Sequence, residues 1–397
     1  MGFFTKDKLS GGLNLGAPRC NQCGLHKTCL SPKMSITGKG LSKILVVAEA
    51  PGEKEDEEGV QLIGRSGQEL RKHLSEAGLS LDRDCWKTNT IICRPPNNEK
   101  PTKDQRQYCF PNLIKAINEL KPVCIILLGM TPIQSVISHV WNDDAGEKIG
   151  RWVGWKIPSQ KWNCWICPTW HPAYLLRQND PVLTLWFKRH LEEASELKQR
   201  PFKEIPDYPS QIEKIHDHRE AAKILRKMRE KGGRIAFDYE TNRLKPDGKG
   251  SCIFTCAVCW NGKKTIAYPW TGEAVKATSE LLRDKQISKY GYNLKFEQRW
   301  TRAILGHDVK GWACDGMLMS HALDHRPGIT SLKFQSFVRL GHPRYDKSIE
   351  PYLKAPQSNK SNRIQEANID ELLTYNGLDA LFTYIIVKQQ IEEVNKL

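Results

Sequence analysis

The stretch 44-ILVVAEAPGEKEDEE-58 decides how the first half of the chain is read. Its first five residues are an unbroken apolar run, the pattern of a strand buried on both faces of a parallel sheet. Six of the next ten are acids, in a chain with 60 Lys plus Arg against 45 Asp plus Glu and a net charge of +15. The densest carboxylate cluster of a basic protein therefore follows a buried strand directly. Similar apolar runs recur at 123-VCIILLG-129 and 164-CWICPT-169, separated by the helix-like segments 67-GQELRKHLSEAG-78 and 106-RQYCFPNLIKAINEL-120. Strands alternating with helices predict an α/β layer fold.

Around 199-QRPFKEIPDYPS-210 this alternation stops, and three prolines among mixed charges read as a linker. A helix-like stretch, 211-QIEKIHDHREAAKILRKMREKGG-233, leads to a strand at 234-RIAFDYET-241. Strand patterns follow at 252-CIFTCAVCW-260 and 264-KTIAYPW-270, with helices towards the C-terminus. The expected organisation is a domain over 1–198, a linker over 199–209 and a second domain over 210–397. At 397 residues the chain is long enough for two ordinary cores.

Composition narrows the function class. Hydrophobic content of 39% with 26% charged residues describes a globular chain, not a disordered one. No run approaches the roughly 20 apolar residues of a membrane span, so no membrane partner is expected. The opening MGFFTKDKLS lacks the apolar core and cleavage site of a signal peptide, and Lys6 breaks the myristoylation pattern. A cytoplasmic location is expected, in which the 13 cysteines serve as thiols or metal ligands, not disulfides. The basic excess points to a polyanion, with DNA the leading partner.

Cys20 and Cys23 form a C-x2-C pair, and Cys93 and Cys109 lie 16 positions apart. A local pair plus two distant thiols can hold an iron–sulphur cluster or a zinc ion, and free buried thiols are the simpler alternative. Cys29 is a spare candidate. The pairs Cys164/Cys167 and Cys256/Cys259 fall in strand-like runs, where residues three apart face opposite sides and cannot easily share a metal. A phosphate-binding loop at 38-GKG-40 is discarded because Gly40 stands where Ser or Thr is required.

With 20-CNQC-23, 49-EAPGEKED-56, 64-GRSG-67, 88-TNTIICRPPNNEKP-101, Cys109 and 171-HPAYLLR-177 in one order and spacing, the first half resembles the iron–sulphur (family 4) uracil-DNA glycosylases. The resemblance implies a parallel-sheet α/β/α sandwich with a structural [4Fe–4S] cluster on Cys20, Cys23, Cys93 and Cys109. It also implies uracil-binding positions at Ala50, Pro51, Leu62 and Asn89. The chemistry is consistent with this. Breaking an N-glycosidic bond generates an oxocarbenium-like sugar and a uracil anion, so a carboxylate, Glu49 or Glu55, is wanted to stabilise the cation and position water. Glu57 and Glu58 read as solvated charges. The Asn89 amide offers a donor and an acceptor to the uracil edge, and His171 can donate to the leaving anion. Tyr174 or Leu175 could fill the stack that a flipped base vacates. Each of these residues alone is more often structural; their joint occurrence at strand ends shifts the reading. Leu62 departs from the family, which usually has an aromatic residue there, and loss of base stacking would cost about 1–3 kcal/mol.

In the second half, Asp238 and Glu240 alternate along a strand and so point to one face. Glu297 lies in 291-GYNLKFEQRW-300 with Asn293, and Tyr375 and Asp379 in 375-YNGLDA-380 are four apart on a helix. Convergent acids are what two Mg²⁺ (or Mn²⁺) ions need to clamp a phosphodiester. The three-part set, with 315-DGMLMSHAL-323 as a structural addition, resembles the 3′–5′ exonuclease domain of family-A DNA polymerases, a ribonuclease-H-like fold. By that resemblance Tyr375 orients the attacking water and the acids hold the ions; Glu297 departs from the usual Asp by one methylene.

The sequence ends soon after the third motif, which leads to the expectation of a freestanding enzyme or the front part of a split polymerase. The expected function is a bifunctional DNA-processing enzyme of viral character, excising uracil and trimming 3′ ends. The alternative, kept open by Leu62, is a glycosylase-like module that binds DNA for the exonuclease or a separate DNA polymerase subunit. An interaction protein with both sites dead is the weakest reading, because four buried acids without metal are costly.

Overall fold

A computed structural model describes residues 17–357 and 360–396. The opening MGFFTKDKLS, on which the signal-peptide and myristoylation readings rest, lies outside the described residues. No helix among the described residues is long and apolar enough to cross a membrane. The chain divides into two compact units, one running to Ile205 with the segment Phe337–Pro343, the other comprising Pro206–Ser336 and Arg344 onward.

The first unit is built on five strands: β1 (Ile44–Ala48), β2 (Cys85–Asn89), β3 (Cys124–Leu128), β4 (Ile157–Ser159) and β5 (Cys164–Thr169). They are ordered β2-β1-β3-β5-β4. Every contact is parallel except β4 with β5. All five residues of β1 and of β3 are buried, as expected of central strands covered on both faces. Helices Arg65–Glu76, Lys103–Leu120, Met130–Trp141 and Pro181–Ser195 supply the covering layers. The second of these begins at a capping box in which Thr102 accepts from the Gln105 N–H and Gln105 returns a bond to the Thr102 N–H. Ile44, Val46, Leu70, Leu74, Ile126 and Phe187 share one core. Within this unit the Phe337 ring stacks on Trp141 at 5.5 Å between centroids.

The second unit carries β6 (Ile212–Lys214), β7 (Arg234–Thr241), β8 (Ile253–Trp260), β9 (Lys264–Pro269), β10 (Ser288–Gly291) and β11 (Trp312–Asp315). Their order is β11-β10-β7-β8-β9-β6. The central β7-β8-β9 ribbon is antiparallel, and the outer pairs are parallel. The helix expected over 211–233 is shorter. Ile212–Lys214 pairs instead with β9, burying Ile212, and the helix starts at His218, where the Asp217 carboxylate accepts the Arg219 and Glu220 N–H groups. The long helix Ile369–Val394 crosses β7, β8 and β9 and buries most of its length.

Candidate active sites

In the first unit the functional candidates gather where the parallel strands end, the side on which open α/β sheets hold ligands. Glu49 follows β1, Asn89 closes β2, and His171 lies just beyond β5, capping the helix Pro172–Gln178. Thr131, at the start of the helix after β3, donates its hydroxyl to Glu49 Oε2. The turn between them needs Gly129: its φ is +89°, and an added Cβ would stand 3.0 Å from His171 Cβ. His171 Nδ1 accepts the Ala173 N–H at 3.2 Å, which leaves the ring proton on Nε2. Burial pulls the His171 pKa below its usual value against the opposing pull of Glu49, so the ring is neutral at neutral pH.

Glu55 is differently employed. Its Oε1 accepts from Ile63 N at 3.0 Å and Gly64 N at 2.8 Å, tying down the loop that carries Leu62. Leu62 has a φ of +55°. Its carbonyl presses on the next helix so closely that a Cβ on Gly67 would lie 1.9 Å from the oxygen. The Leu62 side chain is buried in the core shared with Leu70 and Leu74. Pro51 is buried, and Ala50 packs beside Ile91. Glu57 and Glu58 are exposed. Of the two wedge candidates, Leu175 is only 4% exposed and belongs to the core, whereas Tyr174 is 38% exposed. The acid that the sequence did not single out is Asp56, which is buried and accepts the Leu30 and Ser31 N–H groups. Gln61 is also new: it is fully buried and receives a hydrogen bond from Asn89 Nδ2.

Cys20, Cys23, Cys93 and Cys109 line one pocket together with Ile91, Tyr108 and Asn112. Cys93 Sγ accepts the Lys33 N–H at 3.2 Å, and Asn112 Nδ2 lies 3.6 Å from Cys109 Sγ. Burial pushes the Cys93 thiol up to about 12. Cys29 does not line the pocket. The pairs Cys164/Cys167 and Cys256/Cys259 lie in β5 and β8.

In the second unit, β7 presents Asp238 and Glu240 to the helix carrying Tyr375 and Asp379. One ligand atom each from Asp238, Glu240 and Asp379 falls within 4.8 Å of the others, the single such group of three among the described residues. Asp238 Oδ2 accepts from Asn376 Nδ2 at 2.7 Å, and Asn376 Oδ1 in turn accepts from Thr255 at 2.9 Å. Burial, with the Asp379 charge added, pushes Asp238 up to about 8. Glu240 and Glu297 are driven well above the carboxylate range by the same two causes, burial and neighbouring acids. Glu297 is 2% exposed and stands outside the group of three. Its Oε2 has no hydrogen-bond partner among the described residues. Asn293, at φ +73°, turns the chain into the helix bearing Glu297. Asp315 is structural: it accepts the N–H groups of Asn293, Leu294, Met317 and Leu318.

Two residues of this site carry no signal in the sequence. Lys333 Nζ donates to Tyr375 Oη at 2.7 Å and to Asp379 Oδ2 at 2.8 Å. Tyr345 donates its hydroxyl to the other Asp379 oxygen. Burial pulls the Lys333 pKa down, but the Asp379 charge and hydrogen bond more than reverse this, so the ammonium stays charged.

The arrangement defines two chemistries: an amide, carboxylate and imidazole around the strand ends of one unit, and an acid cluster fit for divalent ions in the other. The profile of the uracil DNA glycosylase superfamily matches residues 36–195, and that of the 3′–5′ exonucleases matches residues 212–394. The type-4 uracil-DNA glycosylase of Pyrobaculum aerophilum is 35% identical over 176 residues, covering 43% of this chain and 86% of its own. That of Thermotoga maritima is 30% identical over 199 residues, covering 48% and 95%. The chain belongs to the type-4 uracil-DNA glycosylases and carries, fused to that domain, a 3′–5′ exonuclease domain. A DNA polymerase of Bacillus phage SP01 is 23% identical over 332 residues, covering 75% of this chain and 34% of its own. Among solved structures, Trypanosoma brucei RNase D with RNA U12 aligns at 14% identity and TM-score 0.38, over 47% of this chain and 65% of that one. Escherichia coli RNase D aligns at 14% identity and TM-score 0.34, over 47% and 45%, so this chain spans about half of its length.

Proposed function

We propose that the chain is a bifunctional DNA-processing enzyme that excises uracil from DNA and trims DNA from the 3′ end. The observation that carries this is that each unit brings its own motif residues to one place on its sheet: Glu49, Asn89 and His171 to the strand ends of the first, Asp238, Glu240 and Asp379 to one 4.8 Å cluster in the second.

In the first activity, uridine leaves the stack and its base lies between the Ala50–Pro51 turn, Leu62 and Asn89. Asn89 reads the edge. Glu49 faces the sugar, offsets the developing positive charge and orients water. Glu49 takes this role and not Glu55, because Glu55 Oε1 is already committed to two backbone N–H groups. His171, neutral with its proton on Nε2, donates to the departing uracil oxygen. Tyr174 is the exposed side chain available to occupy the vacated stack.

Cys20, Cys23, Cys93 and Cys109 hold a structural [4Fe–4S] cluster. Four thiols converge on one pocket, and two of them receive N–H···S contacts of the kind that tune such clusters.

In the second activity, Asp238, Glu240, Glu297 and Asp379 hold Mg²⁺ or Mn²⁺, which when bound supplies an activated water and neutralises the phosphodiester charge. The orphaned Glu297 Oε2 fits this role, since a buried carboxylate oxygen without a donor calls for a cation. Tyr375 orients the attacking water, and Lys333 keeps the Tyr375 hydroxyl in place. The proposed domains are 1–198 and 210–397 joined by 199–209, working in the cytoplasm (a host's, if the source is viral) and with a separate DNA polymerase subunit.

The test uses a 5′-labelled single-stranded oligonucleotide with one uracil, incubated with the full chain and EDTA. Alkali-dependent cleavage at the uracil is expected, with 3′ degradation appearing only when Mg²⁺ is restored. Binding without cleavage would leave a glycosylase-like module that only holds DNA.

A further inference from the structure

Gln61 precedes Leu62 in the loop tied down by Glu55, and it is an amide with no exposed surface at all. A fully buried Gln has to place both ends of its amide against partners of the right sign. Its Nε2 faces the Ser35 carbonyl at 3.4 Å. A carbonyl oxygen only accepts, so this contact decides which end of the Gln61 amide is nitrogen. The Oε1 end then faces Asn89, itself only 2% exposed, and accepts from Asn89 Nδ2. An oxygen acceptor admits only the nitrogen end of the Asn89 amide. Ser35, Gln61 and Asn89 thus form a one-way relay that starts at a backbone carbonyl and ends by fixing the orientation of the residue facing the base.

That orientation bears on which base is accepted. Uracil presents a donor at N3 and an acceptor at O4. Cytosine presents the reverse, an acceptor at N3 and a donor at N4. An Asn amide can serve either base, because a half-turn about its last bond exchanges oxygen for nitrogen. In the orientation set by Gln61, the Asn89 oxygen and its second N–H remain for the ligand. Turning the amide over would set Asn89 Oδ1 against Gln61 Oε1, two buried acceptors with no proton between them.

We propose that Gln61 is a positioning residue that locks the Asn89 amide in its uracil-reading orientation and thereby sets the preference for uracil over cytosine. This rests on the reading that Asn89 contacts the base. Nothing in the residue pattern 59-GVQLIG-64 distinguishes Gln61 from a loop residue; only its burial and its two partners do.

The experiment compares the wild-type full chain with Gln61→Leu, Gln61→Met and Gln61→Glu, all in EDTA, on single-stranded oligonucleotides carrying one uracil or one cytosine at the same place. Excision gives kcat/KM, and competition binding gives the uracil-to-cytosine affinity ratio. Loss of one buried hydrogen bond predicts a fall in the uracil kcat/KM of ~5- to 150-fold in the Leu and Met variants. The uracil-to-cytosine affinity ratio should fall with it. Gln61→Glu, protonated in this fully buried place so that it still donates to the Ser35 carbonyl, keeps an acceptor facing Asn89 and should retain the wild-type ratio. Leu and Met variants that lose activity on uracil but keep the wild-type ratio would show only a packing role, and an unchanged rate and ratio would likewise overturn the inference. A wild type that neither releases uracil nor binds it in preference to cytosine would overturn the reading of Asn89 beneath it, a result distinguishable because it needs no variant.

Discussion

Replacing Lys333 by Met is the sharpest probe of the exonuclease site. Its ammonium donates to Tyr375 at 2.7 Å and to Asp379 at 2.8 Å, with the side chain 23% exposed. Hydrogen bonds involving a charged group contribute about 1.5–3 kcal/mol each. Partial exposure and the freedom of the acids to take up a proton reduce the pair to about 1–3 kcal/mol in total. For a unit of this size, 1 kcal/mol corresponds to about 2–4 °C in Tm, so Lys333→Met should lower the unfolding temperature of the second unit by about 2–12 °C in EDTA. Divalent ions neutralise the same acids, so the loss should shrink markedly in saturating Mg²⁺. Thermal unfolding followed by tryptophan fluorescence, with and without Mg²⁺, reads this difference. Single-stranded DNA digestion should show kcat reduced about tenfold or more with little change in KM, because Tyr375 loses its anchor and not its contact with substrate. Equal destabilisation with and without Mg²⁺, together with an unchanged kcat, would show Lys333 to be a packing residue and refute the argument.

Asp238→Ala should abolish 3′ degradation while uracil release persists, and joint loss of both would count against independent sites. The purified protein should be brown with broad visible absorption, and Cys93→Ser should lose the colour and unfold at a lower temperature; a colourless, zinc-loaded wild type would sink the cluster. Because burial and Asp379 hold Asp238 protonated up to about 8, Mg²⁺ must displace a proton to bind. The Mg²⁺ concentration for half-maximal exonuclease rate should therefore fall as pH rises towards that value, by up to about tenfold per pH unit for each proton released, and a requirement independent of pH would contradict this. Leu62→Phe should raise uracil release by ~5- to 150-fold if the aromatic face meets the base, measured as kcat/KM, with an unchanged rate arguing that the buried Leu62 is a core residue only.

The strands that bear the motifs were legible because their signals are local. The apolar run 44–48 and the alternation of Asp238 with Glu240 each state a face and a period, and both elements form where those patterns place them. The short β6 was not legible, since Ile212–Lys214 becomes a strand only through its pairing with β9, a partner some fifty positions away. Tertiary pairing there outweighs the helical pattern, and the helix waits for the Asp217 cap. That Asp238, Glu240 and Asp379 share one cluster was readable from spacing along one strand and one helix. Lys333 was not, because a lysine between Leu332 and Phe334 looks like any solvated position until the fold turns it towards Asp379. Leu175 failed as a wedge for the opposite reason: adjacency to His171 suggested it, but the helix Pro172–Gln178 turns Leu175 into the core and leaves Tyr174 outside.

The acids of this basic chain sort themselves by what donates to them, and this answers why 49-EAPGEKEDEE-58 is so acidic. Asp56 accepts two backbone N–H groups, Glu55 two, and Asp315 four; each of these carboxylates holds a loop or helix start, and its negative charge is satisfied by the backbone. Glu57 and Glu58 are exposed and need no partner. Glu49 has instead a side-chain hydroxyl on one oxygen, and Glu297 has a buried oxygen with no hydrogen-bond partner among the described residues. A carboxylate saturated by main-chain donors cannot also take up a metal ion or a sugar cation without giving up bonds that position its own loop. A buried oxygen left without a donor, as on Glu297, is stabilised by an arriving divalent ion, and a half-buried carboxylate with one oxygen uncommitted, as on Glu49, is free to face a developing oxocarbenium. By that physical criterion Glu49 and Glu297 are the acids left free for the proposed chemistry, and Glu55, Asp56 and Asp315 are committed to the backbone that surrounds it.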